Sequence, residues 1–273
     1  MNDASHPAKG TLSVQLYTFR DAYDHDPAAT IARIAGMGFR YIEPFGIGSQ
    51  NRPVAERQAG TRALKALLDQ HGLRVSSAHV GAPVGEQAEA VLDELELLGV
   101  QDAVISWPGE VPGFERNVMD TLEGTRHFAE ALNSASLNAA RRGIRLGYHN
   151  HWWEWVRLEN GQWAYDELLS RLDPAVFLQL DAYWARVAGE NPAALLQRLG
   201  ERVRLLHLKD GPATQDAPQV PLGDGVLDNA AVIRAAPWIR WHVLEMDSTA
   251  GDVFADVSAS AAWLIAAGLS DWS

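Results

Sequence analysis

Residues 148–155, YHNHWWEW, place two histidines, one asparagine and one glutamate among four aromatic rings. Imidazole and carboxylate groups bind divalent metals and carry protons, and tryptophan rings offer flat apolar surfaces on which sugars stack. An isolated His-x-His more often belongs to a buried aromatic cluster whose polar groups are satisfied locally. Residues elsewhere in the chain must therefore decide between chemistry and packing.

Further ionisable residues come at the ends of apolar runs that are typical of short β-strands. Asp181 ends VFLQLD, His207 lies near the end of VRLLHL, and Glu245 ends IRWHVLE. A carboxylate directly after a buried strand must be paired, hydrogen bonded or metal bound. Three such groups at strand ends favour a common site over coincidence.

Eight strand-like runs alternate with patterns in which apolar residues recur three and four positions apart, as in helices. The runs are residues 12–19, 39–45, 73–80, 102–108, 144–151, 176–184, 203–210 and 239–247. Glycines such as Gly72 and Gly99 follow several helical patterns, as is common at helix C-termini. This count predicts a single-domain (β/α)8 TIM barrel over residues 1–273, with residues 1–10 as a flexible tail. In such a barrel the strand ends meet at one mouth, where active sites lie.

The composition excludes several classes of function. The 273 residues can form a sizeable core without disulfides, and because the chain has no cysteine any metal must use His, Asp and Glu. The formal net charge of -12 and the scattered arginines argue against a nucleic-acid partner. No apolar run has membrane-spanning length and the N-terminus lacks a signal-peptide pattern, so we expect a soluble, cytoplasmic protein with no membrane partner.

The motifs YHNHWWEW, LDAYWARVAGENP, LHLKDG, PLGDGVLDN and VLEMD occur in this order along the chain. Together they resemble the xylose isomerase-like TIM barrel superfamily, also described as sugar phosphate isomerase/epimerase-like proteins, over nearly the whole chain. Similar members bind one divalent metal through the last four strands, which implies Glu154, Asp181, His207 and Glu245 as ligands here. Three carboxylates and one imidazole suit Mn²⁺ first, with Mg²⁺, Co²⁺ or Zn²⁺ as alternatives. The resemblance also implies a small-molecule sugar substrate and a homodimer.

The resemblance implies proton transfer at a carbon beside a ketone, through an enediolate, with Glu154 and Glu245 as the groups that carry the proton. Known ketose epimerases hold their first glutamate within the fifth strand, whereas that strand here offers His149 and His151. The spacing of His151 and Glu154 instead resembles enzymes that act on 3-keto sugars and glycosides, where the glutamate binds metal and the histidine acts on the substrate. His149 is the alternative ligand to Glu154.

The side chains expected to contact the substrate are His79, His149, Trp152, Trp184, Lys209 and Glu43. Lys209 is expected to steady a sugar hydroxyl or to pair with Asp210 or Glu245, because the neighbouring KDG and LGDG segments are acidic and unsuited to phosphate. We expect an isomerase or epimerase acting on an unphosphorylated ketose, keto sugar or polyol-derived ketone. A lyase or hydratase acting by elimination on a 3-keto sugar, 3-keto glycoside or inosose is the alternative. A phosphodiesterase of the apurinic endonuclease type and a non-enzymatic barrel are less favoured.

Overall fold

The computed structural model describes residues 9–272 and confirms a TIM barrel. Its strands are β1 (Gly10–Gln15), β2 (Tyr41–Glu43), β3 (Arg74–Val75), β4 (Ala78–His79), β5 (Asp102–Ile105), β6 (Arg145–His149), β7 (Phe177–Asp181), β8 (Val203–Leu208), β9 (Trp241–Leu244) and β10 (Ser270–Asp271). Its α-helices are α1 (Arg20–His25), α2 (Pro27–Gly36), α3 (Val54–His71), α4 (Ala88–Leu98), α5 (Leu122–Ala140), α6 (Ala164–Arg171), α7 (Ala182–Val187), α8 (Pro192–Leu199), α9 (Asn229–Arg234) and α10 (Val253–Ala266).

The strands are parallel and follow the order β3-β2-β1-β9-β8-β7-β6-β5-β4, with β10 added beside β1. β3 and β4 are two halves of the third predicted strand, which is interrupted at Ser76 and Ser77. The first half pairs with β2 and the second with β5, so the interrupted strand closes the barrel. On either side of the interruption, the backbone N–H of Ser76 donates to the carbonyl of Ile42 and that of His79 donates to the carbonyl of Pro44, which lies beyond the end of β2.

The two ends of the described chain meet beside β1. Gly10 is buried and pairs with Ser270, so the first strand begins earlier than predicted and residue 10 belongs to it. Residues 1–8 of the predicted flexible tail lie outside the described residues. Trp272 packs edge-on against Phe39, with ring centroids 5.3 Å apart.

Apolar side chains of the strands and of the inner helix faces form one extensive core. In α4, Val91, Leu95 and Leu98 recur at helical spacing and are buried against the barrel. The helix ends at Gly99, whose φ of 71° is the left-handed conformation predicted for a glycine at that position. None of the helices in residues 9–272 combines the length and the apolar character needed to span a membrane.

Candidate active site

Four ionisable side chains from neighbouring strand ends converge at the carboxyl end of the barrel. They are His149 of β6, Asp181 of β7, His207 of β8 and Glu245 just after β9. One ligand atom from each lies within 4.8 Å of the others, and we call this set the four-ligand cluster. Asp181 and His207 are direct partners in the register of β7 with β8, so the strand pairing itself brings them together. Imidazole and carboxylate groups at this spacing can hold one divalent ion.

Asp181 has one carboxylate oxygen that accepts a hydrogen bond and one that accepts none. Its Oδ1 accepts a hydrogen bond of 2.8 Å from the backbone N–H of Trp184, in the first turn of α7, and so caps that helix. Its Oδ2 is buried without a hydrogen bond, 3.8 Å from His149 Nε2. Lys209 Nζ lies 3.0 Å from Oδ2 as an ion pair, at an angle outside hydrogen-bond geometry. A buried carboxylate oxygen left in this state among other ligand atoms fits a metal ligand.

Asn150 fixes the position of Asp181 beyond the last residues that pair between β6 and β7. The backbone N–H of Asp181 donates to Asn150 Oδ1 at 3.0 Å, and Asn150 Nδ2 donates to the Asp181 carbonyl at 3.2 Å. This side chain continues the ladder between the ends of β6 and β7. Asn150, which lies between the two histidines in the sequence, therefore holds the backbone of Asp181 in place.

His207 is held between two carboxylates. Its Nδ1 lies 2.7 Å from Glu245 Oε2 and its Nε2 lies 2.6 Å from Glu43 Oε1. Burial acts to lower the pKa of His207, but Glu43 and Glu245 raise it to about 10. A carboxylate on the second ring nitrogen is a common way to orient a metal-binding histidine. Glu43 therefore sets the ring orientation of His207.

Glu43 lies beneath the cavity, which differs from its predicted contact with substrate. It is fully buried and accepts hydrogen bonds from Gln15 Nε2 at 2.7 Å and from Gln179 Nε2 at 2.6 Å. Burial acts to raise the pKa of Glu43, but His79 and His207 lower it to about 2. Because its oxygens are occupied by these partners, Glu43 positions the side chains around the cluster.

Glu154 lies apart from the four-ligand cluster, in contrast to its predicted place as a ligand. Its Oε1 accepts a 2.8 Å hydrogen bond from the Tyr148 hydroxyl, and its Oε2 accepts one of 2.8 Å from the backbone N–H of His151. The chain turns after β6, and Glu154 folds back onto this turn. His149, the alternative left open by the sequence, occupies the position in the cluster.

His151 lies beside the cluster and is held by contacts of both its ring and its backbone. Its ring stacks on Trp153 with centroids 3.9 Å apart, while Glu154 fixes its backbone. Burial, together with the charge of Lys209, lowers the pKa of His151 well below its usual range. The imidazole is therefore neutral at pH 7 and able to accept a proton.

A cavity of about 410 Å³ opens at this end of the barrel, and we call it the mouth cavity. Residues predicted to act on or contact the substrate that line it are His79, His149, His151, Trp152, Trp184 and Glu245. Lys209, Glu43 and Glu154 are not among its lining residues. Trp152 and Trp184 pack together with ring centroids 4.4 Å apart and form one side of the wall.

Lys209 is buried among three carboxylates. Its Nζ lies 3.0 Å from Asp181, 2.7 Å from Glu245 and 2.7 Å from Asp247. Burial acts to lower the pKa of Lys209, but these carboxylates raise it well above its usual range. The lysine thus pairs with Glu245, one of its two predicted partners, and balances the negative charge around the cluster. Asp210, the other predicted partner of Lys209, instead accepts hydrogen bonds from backbone N–H groups of the loop that follows it.

Gln179 is a site residue that the sequence analysis missed. Its Oε1 lies 2.7 Å from His79 Nε2 and 3.1 Å from His149 Nδ1. The amide N–H of the same side chain donates to Glu43, so Gln179 links these two histidines to Glu43. Its position two residues before Asp181 in β7 was the available signal, since alternate residues of a strand share a face.

Replacement of Glu154 by glutamine is expected to change how stability depends on pH. Burial raises the pKa of Glu154 from 4.5 to about 7, although its hydrogen bonds act in the opposite direction. A raised pKa in the folded state gives stability that is present below pH 4.5 and is lost as the pH rises through 7. The glutamine variant does not lose this stability. As the pH rises from 4.5 to 7, the free energy of unfolding of Glu154→Gln should therefore increase by about 3 kcal/mol relative to that of the wild type. Urea unfolding of both proteins with a chelator present measures this difference, and a constant difference across the range would contradict it.

Comparison with known proteins places the chain in a family. A family model described as xylose isomerase-like TIM barrel matches residues 31–266, and the chain belongs to that family. The inosose dehydratase of Clostridium beijerinckii is 30% identical over 166 residues, which cover 54% of this chain and 54% of that protein. The match therefore spans about half the length of that relative. The inosose dehydratase of Geobacillus thermodenitrificans is 28% identical over 222 residues, covering 68% of this chain and 74% of that protein.

A solved structure gives the same fold. The sugar phosphate isomerase/epimerase from Parabacteroides distasonis superposes with a TM-score of 0.76 and 24% identity, covering 99% of this chain and 98% of that one. At this level of identity the likeness shows the barrel fold alone. The chain therefore belongs to a family of enzymes. Family membership alone does not distinguish isomerisation from elimination as its reaction.

Proposed function

We propose that the protein is a metal-dependent dehydratase that removes water from an inosose or a related cyclic keto polyol. The observation that carries the proposal is the four-ligand cluster beside a cavity whose wall also holds the neutral imidazole of His151. The inosose dehydratase relatives favour elimination. Isomerisation or epimerisation, the first expectation from the sequence, is the second candidate, because both reactions begin by removing a proton beside a ketone.

The donor set of the cluster fits a divalent ion of intermediate softness. Two imidazoles and two carboxylates suit Mn²⁺, Co²⁺ or Zn²⁺ better than Mg²⁺, and we keep Mn²⁺ as first choice. When bound, such an ion polarises the substrate ketone and makes the neighbouring C–H more acidic. His207 would hold the ion as a neutral ring through Nδ1, and Glu43, 2.6 Å from Nε2, would keep that ring oriented.

The proton transfer is assigned to His151. As a neutral ring it accepts the proton from the carbon beside the ketone, and once protonated it returns that proton to the hydroxyl leaving the next carbon. One C–H and one C–O bond break, one C=C bond forms, and one water is released. Burial acts to raise the pKa of Glu245, but Lys209 and His207 lower it well below its usual range. Its Oε2 lies 2.7 Å from His207 Nδ1 and 2.7 Å from Lys209 Nζ, so we propose that Glu245 acts as a ligand alone rather than also carrying a proton.

The walls of the mouth cavity favour an uncharged substrate. Glu245 and Asp247 line it, whereas no lysine or arginine does among the described residues. A phosphate group would meet these carboxylates without a positive partner. This supports an unphosphorylated keto polyol or keto sugar.

The test is incubation of the protein and saturating Mn²⁺ with inososes, 3-keto glucosides and ketoses in deuterated water. We expect mass spectrometry to detect loss of one water from an inosose. Deuterium in an isomer that keeps all its oxygens would instead establish the second candidate. The absence of both outcomes across the panel, with metal bound, would exclude both proposed reactions.

A further inference from the structure

Another cavity, of about 670 Å³, opens at the amino end of the barrel, opposite the four-ligand cluster. We call it the amino-end cavity, and its lining includes the first residues of six of the described strands: Tyr41, Arg74, Asp102, Arg145, Val203 and Trp241. Along β8, His207 follows Val203 by four residues, which is about 13 Å at the usual rise of a strand. A small molecule bound in the amino-end cavity is therefore separated from the cluster by the length of the strands.

The amino-end cavity is rich in positive charge, although the chain as a whole is acidic. The sequence has 35 acidic residues and 23 lysines and arginines. Among the described residues that line the cavity the balance is reversed, with five cations and three carboxylates. The cations are Lys65, Arg74, Arg145, Arg204 and Arg240, and the carboxylates are Asp69, Asp102 and Glu201. This local reversal of charge favours an anionic ligand.

Asp102 positions two of these arginines. It is buried, and Arg145 donates to its two carboxylate oxygens from Nε at 2.6 Å and from Nη2 at 2.7 Å. Arg204 Nε lies 3.8 Å from the same carboxylate. The bidentate bond fixes the guanidinium of Arg145 and leaves its other N–H groups to a ligand. Both arginine side chains remain nearly half exposed, so an anion in the cavity can reach them.

Arg74 and Arg240 are held by aromatic rings instead of by carboxylates. The guanidinium of Arg74 lies 5.0 Å from the ring centroid of Tyr41, and that of Arg240 lies 4.5 Å from the ring centroid of Trp241. The two rings contact each other, with centroids 4.6 Å apart. Within residues 9–272, neither arginine side chain has a hydrogen bond or an ion pair. A guanidinium stacked on a ring keeps its N–H edge available for phosphate oxygens.

Trp238 offers an aromatic surface that no arginine covers. It lines the amino-end cavity, is 38% exposed, and is anchored because its Nε1 donates to the Val203 carbonyl at 3.1 Å. In the described part of the chain its ring has no aromatic or cationic neighbour, unlike Tyr41 and Trp241. An anchored, exposed indole is a surface on which a nucleotide base stacks. The open indole beside arginine donors therefore favours a nucleoside phosphate over a phosphate group alone.

We propose that the amino-end cavity binds a single nucleoside phosphate, with its base on Trp238 and its phosphates paired with the arginines of the cavity. A nucleic acid is disfavoured as the occupant, because the net charge of -12 repels a long polyanion outside this local patch. The bound nucleotide takes no part in the reaction at the four-ligand cluster. This inference therefore stands independently of the proposed function.

Isothermal titration calorimetry tests the site without reference to turnover. The Mn²⁺-loaded protein, freed of excess metal, is titrated with ADP, with adenosine and with pyrophosphate, and the titrations are repeated with a chelator present. We expect ADP to bind at least about tenfold more tightly than adenosine or pyrophosphate, because only ADP engages both the indole and the arginines. The affinity for ADP should decrease as the salt concentration rises, since the arginines are exposed.

Variants of Trp238 test the position of the base. Trp238→Ala should weaken ADP binding by about tenfold and leave pyrophosphate binding unchanged, because only the stacking surface is lost. Trp238→Phe keeps an aromatic ring and should retain most of the affinity for ADP. Trp107→Ala is the matched control, since Trp107 is also 38% exposed but lines the mouth cavity.

Variants of the stacked arginines test the position of the phosphates. Arg74→Gln combined with Arg240→Gln should weaken the binding of ADP and of pyrophosphate by about tenfold or more, because both ligands lose the same contacts. Arg157→Gln is the matched control. Arg157 is also exposed and stacks on a tryptophan, 3.7 Å from the ring centroid of Trp163, but it lies outside the amino-end cavity.

Three results would overturn this inference. The first is a lack of ADP binding, or ADP binding no tighter than that of pyrophosphate. The second is ADP binding that Trp238→Ala does not weaken. The third is ADP binding that is abolished by the chelator or weakened equally by Trp107→Ala, which would place the nucleotide in the mouth cavity. The dehydratase proposal is tested separately, by loss of water from an inosose.

Discussion

Replacement of Asp181 and His207 together by alanine is expected to abolish metal uptake and to lower turnover by about a thousandfold or more. The two side chains are fully buried register partners at the centre of the four-ligand cluster, so their loss removes half of its donors. A bound metal contributes several kcal/mol of transition-state stabilisation, and about 4 kcal/mol corresponds to a thousandfold in rate. Elemental analysis and Mn²⁺ titration measure the uptake. Undiminished uptake by this double variant would refute the cluster as the metal site.

Single variants identify the fourth ligand. His149→Ala should weaken Mn²⁺ binding strongly, whereas Glu154→Gln should keep it, because Glu154 is bonded to Tyr148 and His151 outside the cluster. His242→Gln is a matched control, since His242 is a buried histidine hydrogen bonded to Ser270 beside the start of β1. The reverse result for His149 and Glu154 would restore the ligand set implied by the family resemblance.

The barrel could be predicted from the sequence because its signals are local. Apolar runs of strand length, helical periodicity between them, and glycines such as Gly99 depend only on neighbouring residues. The interruption at Ser76 and Ser77 could not, because it depends on which strand each half of the third run pairs with. The pairing of each half is set by the closed barrel, and the residues of the run carry no local signal for it.

The arrangement of the site could be predicted where a side chain belongs to a strand or directly follows one, and less well within the turn after β6. Asp181 and His207 lie together as expected, because a strand fixes the direction of its side chains. Glu154 lies outside the four-ligand cluster because it belongs to the turn after β6, and spacing alone does not give the path of a turn. The pairing of Glu43 with His207 joins residues 164 positions apart, so no short motif could contain it.

The two possible ligand sets differ in donor chemistry. With Glu154 in the cluster, the site would have three carboxylates and one imidazole. With His149 it has two of each, and the preference moves away from Mg²⁺ towards softer divalent ions. The free histidine of the pair, His151, is then left for acid–base chemistry. The proposed choice of His149 over Glu154 as ligand thus bears on both the proposed metal and the proposed base.

Replacement of His151 by alanine is expected to lower turnover by about a hundredfold or more while metal content is retained. The ring lies outside the four-ligand cluster but in the wall of the same cavity, and burial keeps its pKa well below the usual range. Elemental analysis and exchange of the substrate C–H with deuterated solvent provide separate readouts. His127→Ala, at a histidine whose side chain is 71% exposed, is the control for substitution as such.

The pH profile gives this prediction a second, independent measurement. Because the pKa of His151 is lowered, turnover limited by this base should stay level as the pH falls from 8 to 6.5 and decrease only at lower pH. Glu245→Gln, with Mn²⁺ saturating, should retain C–H exchange if Glu245 serves only as a ligand. Exchange that stops in Glu245→Gln but continues at a near-normal rate in His151→Ala would assign the proton transfer to Glu245. Equal loss of metal and turnover in His151→Ala would instead make His151 a ligand.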